Sequence, residues 1–282
     1  MNGKLKYFMI IIGICIIIYG IFGYFNSPSN DMGWYLKKMN INKIHEKYKG
    51  KNIKIGIIDS GSTSFIKTEK QYNFSNSKSE FDTISHGSSN INLIKNIAPE
   101  SLIFSYKVTN QDTTISSQNI LLALEQAQKD EVDIIALPMG THKNSEEVSE
   151  KLKELKDNNI ILLSSAGDYD EDKLMFPAID DSVVSVGAIS NIRVLDSLQW
   201  IMNNDPDNID VFFPGDPVPI YDDYNFRENN FIPGAGTSYS TAIAAGYMAL
   251  LLEKNENLTI EQIKVILSNV QEINFDYYLP FK

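Results

Sequence analysis

Three residues suited to nucleophilic chemistry stand at special places in the chain. Ser238 lies in Gly234-Ala235-Gly236-Thr237-Ser238-Tyr239-Ser240-Thr241-Ala242, where small residues lead into a long apolar helical run, Thr241 to Leu252. A serine at such a junction meets unpaired backbone N–H groups and the positive end of a helix dipole. Those conditions suit an exposed nucleophile beside an oxyanion site. Asp59 closes Ile53-Lys54-Ile55-Gly56-Ile57-Ile58, which reads as a buried strand, and Ser60-Gly61-Ser62 follows it. Open α/β sheets place their sites at such strand ends. His86 sits in Ser85-His86-Gly87-Ser88-Ser89; the other histidines are His45 and His142. Each residue also has a plainer reading. Ser and Thr are the commonest helix N-caps, Asp often ends a strand in a turn, and a His beside Gly is ordinary in a loop.

The elements that must position these residues follow from hydrophobic periodicity. Leu102–Val108, Val132–Leu137, Ile160–Ser164 and Val183–Ala188 read as buried strands. Ser116–Asp130 reads as an amphipathic helix with Ile120, Leu121, Leu124 and Ala127 on one face. Ser145–Asn158 reads as another, with Val148, Leu152 and Leu155 as its stripe. Strands alternating with helices predict an α/β fold with a mostly parallel sheet and helices on both faces. Residues 65–83 are polar and read as loop. After Ala188 the pattern loosens, with Val211-Phe212-Phe213 as a short apolar edge. Thr259-Ile260-Glu261-Gln262 is a capping box opening a last helix to about Asn269.

Composition narrows the function classes. The chain has 282 residues, a net charge of −11 and a single cysteine, Cys15. A sequence-independent grip on nucleic acid is not expected at that charge. No internal disulfide can form, and the few His and Cys offer no catalytic metal cluster. A nucleotide-binding α/β domain is disfavoured, because no Gly-x-Gly-x-x-Gly follows the first clear strand. Residues 7–25 carry no charged side chain and have aromatic residues at both ends. At about 1.5 Å per residue they are long enough to cross a bilayer's hydrocarbon core. Lys4 and Lys6 favour an N-terminus inside the cell and the remainder outside the cytoplasm. A cleaved signal peptide is the rival, but no small-x-small cleavage site follows. The expected organisation is a cytoplasmic tail at 1–6, an anchor at 7–25, a linker at 26–33 and one domain from 34 to 282.

The order of these pieces resembles the subtilisin-like serine proteases, the subtilases. It is carried by Ile57-Ile58-Asp59-Ser60-Gly61, His86-Gly87, Ala98-Pro99, Ala166-Gly167-Asp168, Phe176-Pro177-Ala178, Val184 to Ala188, Phe213-Pro214-Gly215 and Gly236-Thr237-Ser238. The resemblance implies a subtilisin-like fold and an Asp…His…Ser order of catalytic residues. Ser238 would be the nucleophile, His86 the general base and Asp59 the residue that orients the imidazole. The Ser238 backbone N–H would be one oxyanion donor. Met139, Gly140, Ser165, Ala166 and Gly167 would line the cleft and pair with an extended peptide as an added strand.

The chain also departs from that family. Asp168 stands where an oxyanion-donating Asn is usual, and an ionised carboxylate donates nothing there. Protonated, Asp168 would donate, which predicts slow turnover at neutral pH and faster turnover in mild acid until His86 protonates. The stretch from His86 to Ala98 is too short for the loop that holds a tight calcium ion in many relatives, so no cofactor is expected; a weak calcium site elsewhere is left open. Between Phe25 and Ile53 there is no room for a folding pro-domain, which leaves open a partner protein in its place. Asp168, Asp170, Glu171 and Asp172 crowd one loop near the expected cleft. Two readings result: a membrane-anchored serine endopeptidase acting on peptides or proteins, and a weak or inactive pseudoprotease that binds peptides or regulates.

Overall fold

The computed structural model describes residues 31–109, 115–168, 173–194, 198–201 and 206–271. The expected anchor at 7–25, Cys15 and the acidic residues Asp170, Glu171 and Asp172 lie outside them. Among the described residues, no helix is long and apolar enough to cross a membrane.

Eight strands form one sheet. They are β1 (Lys54–Asp59), β2 (Lys70–Asn73), β3 (Leu102–Lys107), β4 (Ile134–Leu137), β5 (Ile161–Ser165), β6 (Val184–Val194), β7 (Leu198–Ile201) and β8 (Val211–Asp216). The order is β2-β3-β1-β4-β5-β6-β7, with β8 also beside β6, and only the β6–β7 pair is antiparallel. β9 (Val218–Tyr221) and β10 (Phe231–Gly234) form a separate antiparallel pair. The helices are α1 (Trp34–Lys38), α2 (Ile41–Ile44), α3 (His86–Ile97), α4 (Ser117–Lys129), α5 (Glu146–Asp157), α6 (Thr237–Lys254) and α7 (Ile260–Gln271).

Continuous apolar strands arise because both sheet faces are covered. Ile55, Ile57, Ile134, Ala136, Ile161 and Leu163 point into one core, against Ile91, Ile94 and Ile97 of α3 and the body of α6. Their sequence neighbours Ile58, Ile135, Leu137 and Leu162 point into the other, against Leu124 of α4 and Leu152 of α5. Period-two alternation therefore serves two apolar layers instead of one. α6 is buried continuously from Ser240 to Leu252, so it is apolar all round and shows no stripe.

Strand order also fixes where a site can form. β3 and β4 leave β1 on opposite sides, which makes the C-terminal end of β1 a topological switch point. Asp59 is the last residue of that strand.

Three local features differ from the sequence expectation. β2 lies within the stretch read as loop; as an edge strand its residues are half-buried or exposed, so no apolar alternation marks it. His86 opens a helix, and Ser88, Ser89 and Asn90 are buried polar residues that mask its apolar face. The β9–β10 pair carries Pro219 and Pro233 directly opposite each other, an arrangement that hides strand character.

Candidate active site

Asp59 is 3 % exposed at the end of β1. Its Oδ1 accepts the Ser60 backbone N–H at 2.6 Å and lies 2.7 Å from His86 Nδ1. Its Oδ2 accepts from the Asn90 side-chain amide at 2.9 Å. The His86 side chain keeps 31 % exposure, so the ring is anchored below and open above.

The start of α3 is pressed onto the turn after β1. A Cβ at Gly87 would lie 2.3 Å from the Gly61 carbonyl oxygen, so only glycine fits. The Gly87 N–H donates to Ser60 Oγ at 2.9 Å, and Ser60 Oγ donates to Asp82 Oδ1 at 2.9 Å. Asp82 Oδ2 accepts from the Ser88 N–H at 2.9 Å and the Ser88 hydroxyl at 2.7 Å. Asp82 thereby caps a helix whose own N-cap, Ser85, makes no side-chain cap bond and sits at φ 59°. The Ser85 hydroxyl instead donates to the Asp223 carboxylate.

These carboxylates act on the imidazole. Burial pushes the His86 pKa down, but Asp59, Asp82 and Asp223 together outweigh it, and the net shift is upward. Burial likewise raises Asp82, against the hydrogen bonds from Ser88 and Ile84. Tyr239, whose ring centroid is 5.7 Å from that of His86, is raised by burial and by the charges of Asp59, Asp223 and Asp168.

The half around Ser238 is arranged differently. Gly236 precedes α6 and has no side chain to cap it. Asp168 does so from the turn after β5: its Oδ1 accepts the Thr237 N–H at 2.8 Å and the Thr237 hydroxyl at 2.9 Å. Ser238 follows in the first turn of α6, where backbone N–H groups lack intrahelical partners. Its hydroxyl donates to the Pro138 carbonyl at 2.8 Å. Among the described residues, no hydrogen bond joins Ser238 to His86.

The expected cleft residues lie at the ends of β4 and β5. Ser164 Oγ donates to the Met139 carbonyl at 3.3 Å, tying the two ends together. Ser165 and Ala166 are buried, and Gly167 turns the chain at φ 105°. Thr141, the residue after the expected cleft residue Gly140, pairs with Phe176 through bonds of 2.8 and 2.9 Å, so the chain beside the expected cleft already has a strand partner from the same chain. Met175 lies over Gly140: a Cβ built there would meet Met175 Cβ at 2.7 Å.

Sequence reasoning missed Asn90, Asp82, Ser60, Pro138 and Asp223. Asn90 had a readable signal, since four residues after His86 puts it on the same helix face. Ser60 directly follows Asp59, but its hydroxyl meets Gly87 and Asp82, and Asp82, Pro138 and Asp223 come in, only through chain reversals that no local pattern encodes.

Comparison with known proteins bears on the fold and the family. The fold matches a lanthipeptide protease of known structure with a TM-score of 0.68, 20 % identity and coverage of 85 % of this chain and 87 % of that one. The structure of the subtilase cytotoxin SubAB matches with a TM-score of 0.67. These likenesses establish a subtilisin-like α/β fold with a mostly parallel sheet. In sequence, the chain is 26 % identical to subtilisin DY of Bacillus licheniformis over 79 % of its length and 84 % of that protein. It is 25 % identical to the minor extracellular protease Epr of Bacillus subtilis, but spans only 34 % of that longer chain. A family model described as the subtilase family matches residues 82–275, which include His86 and Ser238. The chain belongs to the subtilase family of serine proteases.

Proposed function

We propose that the protein is a membrane-anchored serine endopeptidase using Asp59, His86 and Ser238. The observation that carries this reading is the 2.7 Å contact between His86 Nδ1 and the buried Asp59 carboxylate. A carboxylate facing Nδ1 holds the proton there and leaves Nε2 as the base. Ser238 Oγ leaves the Pro138 carbonyl, gives its proton to Nε2 and attacks the peptide carbonyl. The imidazolium returns that proton to the leaving amine, and water then releases the acyl group by the same steps. The Ser238 N–H donates to the oxyanion. Residues 7–25 hold the catalytic domain at the membrane, outside the cytoplasm.

Asp168 restrains this chemistry. Its Oδ1 is committed to Thr237, so Oδ2 is the atom left to face a developing oxyanion. A carboxylate Oδ2 repels that charge, where an amide in its place would donate. The raised pKa of His86 works against an acid optimum, because the base is lost at a higher pH than for an ordinary histidine.

A second reading, a pseudoprotease that binds peptides, is favoured by the Ser238 hydroxyl bonded to Pro138 instead of His86. A fluorophosphonate probe separates the two, since it labels an activated serine. Labelling of the detergent-solubilised full chain, abolished by Ser238→Ala, is expected. No labelling of a folded wild type from about pH 5 to about pH 8 would sink the protease reading.

A further inference from the structure

We propose that Asn90 is a positioning residue: its amide fixes the Asp59 carboxylate so that His86 keeps one orientation and one tautomer. This rests on the proposed chemistry of Asp59, His86 and Ser238.

Asn90 is fully buried on α3, one turn beyond His86. Its Nδ2 lies 2.9 Å from Asp59 Oδ2 and 3.3 Å from His86 Nδ1. The two oxygens of Asp59 therefore have separate duties. Oδ1 takes the Ser60 N–H and the imidazole, while Oδ2 takes Asn90. With both oxygens held, the carboxylate cannot swing about its Cβ–Cγ bond without breaking a contact. The plane of the carboxylate in turn sets the plane of the ring that bonds to it.

Packing alone does not explain an amide here. Asn90 Oδ1 is buried and, among the described residues, has no hydrogen-bond partner. An unmatched buried acceptor lowers stability. Leucine has nearly the same shape and would join Ile91, Ile94 and Ile97 on an apolar helix without an orphan oxygen. Turning the amide end for end would set its oxygen against the Asp59 carboxylate, so charge fixes which atom faces which. The donor is the part of this side chain with a task.

The test is Asn90→Leu in the full chain. The expected result is a kcat roughly tenfold to a hundredfold lower with KM changed by less than about twofold, as for a small misplacement of reacting groups. Nitrogen-labelled histidine gives a second readout, and the chain has only 3 histidines to assign. The His86 Nδ1–H signal should broaden or vanish and the ring titration should move. The charges facing His86 from β1, the loop before α3 and the segment after β9, namely Asp59, Asp82 and Asp223, are the same in the variant, as is the Tyr239 phenol from α6. A folded Asn90→Leu protein with wild-type kcat and an unchanged His86 titration overturns the proposal. Should the variant not fold, the wild type decides: its Asn90 amide signals should move as His86 titrates, and signals that stay fixed overturn it. These spectra need no turnover. A wild type that cleaves nothing would remove the protease reading while the Asn90 contact is still judged.

Discussion

The two halves of the site are built on opposite principles. In the acid–base half, Asp59, His86, Ser60, Asp82 and Asn90 are locked together by contacts of 2.6 to 2.9 Å. Buried carboxylates there already favour the imidazolium, the form His86 would take in the proposed mechanism. In the Ser238 half, the Ser238 hydroxyl is bonded to a backbone carbonyl, and the Asp168 carboxylate occupies the end of α6, where the proposed mechanism would develop negative charge. Under the proposed mechanism the base would be assembled in advance, whereas Ser238 would have to leave Pro138 and Asp168 would have to stop opposing the oxyanion before reaction. The difference locates any restraint on activity in the second half, and substitutions there should move turnover most.

Ser238→Ala gives the largest expected effect. Where three such residues act as a unit, removing the nucleophile costs about 10⁶ in turnover. Residual peptide cleavage near the wild-type rate would mean that another group attacks. Asp168→Asn comes next and should act in the opposite direction. Asparagine keeps an acceptor oxygen for the Thr237 N–H and hydroxyl, and places an amide where Oδ2 stood. One oxyanion donor is worth about 10²–10³ in kcat, or roughly 3–4 kcal/mol. Turnover at neutral pH should rise by up to that factor, with little change in melting temperature. An unchanged kcat would show that Asp168 serves only as a helix cap.

How far the sequence disclosed this arrangement depended on what each signal required. The strands around Asp59 and the serine-to-helix junction were legible because burial on both faces leaves continuous apolar runs. The Ser238 helix was legible for a similar reason, as it passes through the core. The contacts that hold Asp59 and His86 in place were mostly not. Asp82 caps α3 from six residues before Ser88, Asp223 reaches Ser85 from beyond β9, and Pro138 meets Ser238 across 100 residues. Those contacts follow from chain reversals and strand order, which local periodicity does not carry. Asp168 was readable as a departure, but its bond to Thr237 was not, because helix capping from a distant turn leaves no mark in the sequence around either residue.

Gly87→Ala tests the tightness of the acid–base half directly. The added Cβ would meet the Gly61 carbonyl at 2.3 Å, a backbone atom that cannot step aside cheaply. A loss of about 1–3 kcal/mol in stability is expected from such overpacking. Widening the gap between α3 and β1 should also weaken the Asp59–His86 contact, so kcat should fall more than KM rises. A thermal melt and a kinetic assay together check this. Wild-type values in both would mean that the two segments are not clamped.

Asp223→Asn sharpens the comparison with the smallest change. Asp223 lies at the exposed rim, accepts from Ser85 and is the last of the three carboxylates that raise His86. Asparagine keeps an acceptor for Ser85 and removes only the charge. If His86 is the base proposed above, catalysis needs it neutral, and activity should fall as pH drops through its raised pKa. Without Asp223 the acid limb of kcat/KM should move to lower pH. Stability should respond with the opposite sense. A histidine raised by folding stabilises the native state below its unfolded pKa, and that contribution fades as pH rises through the folded pKa. Losing Asp223 should therefore lower stability on the acid side while leaving it unchanged at high pH. Both effects should shrink in strong salt, because an exposed charge is screened while Asp59 and Asp82 are buried. An acid limb that stays in place at low salt would show that the buried carboxylates alone set the base.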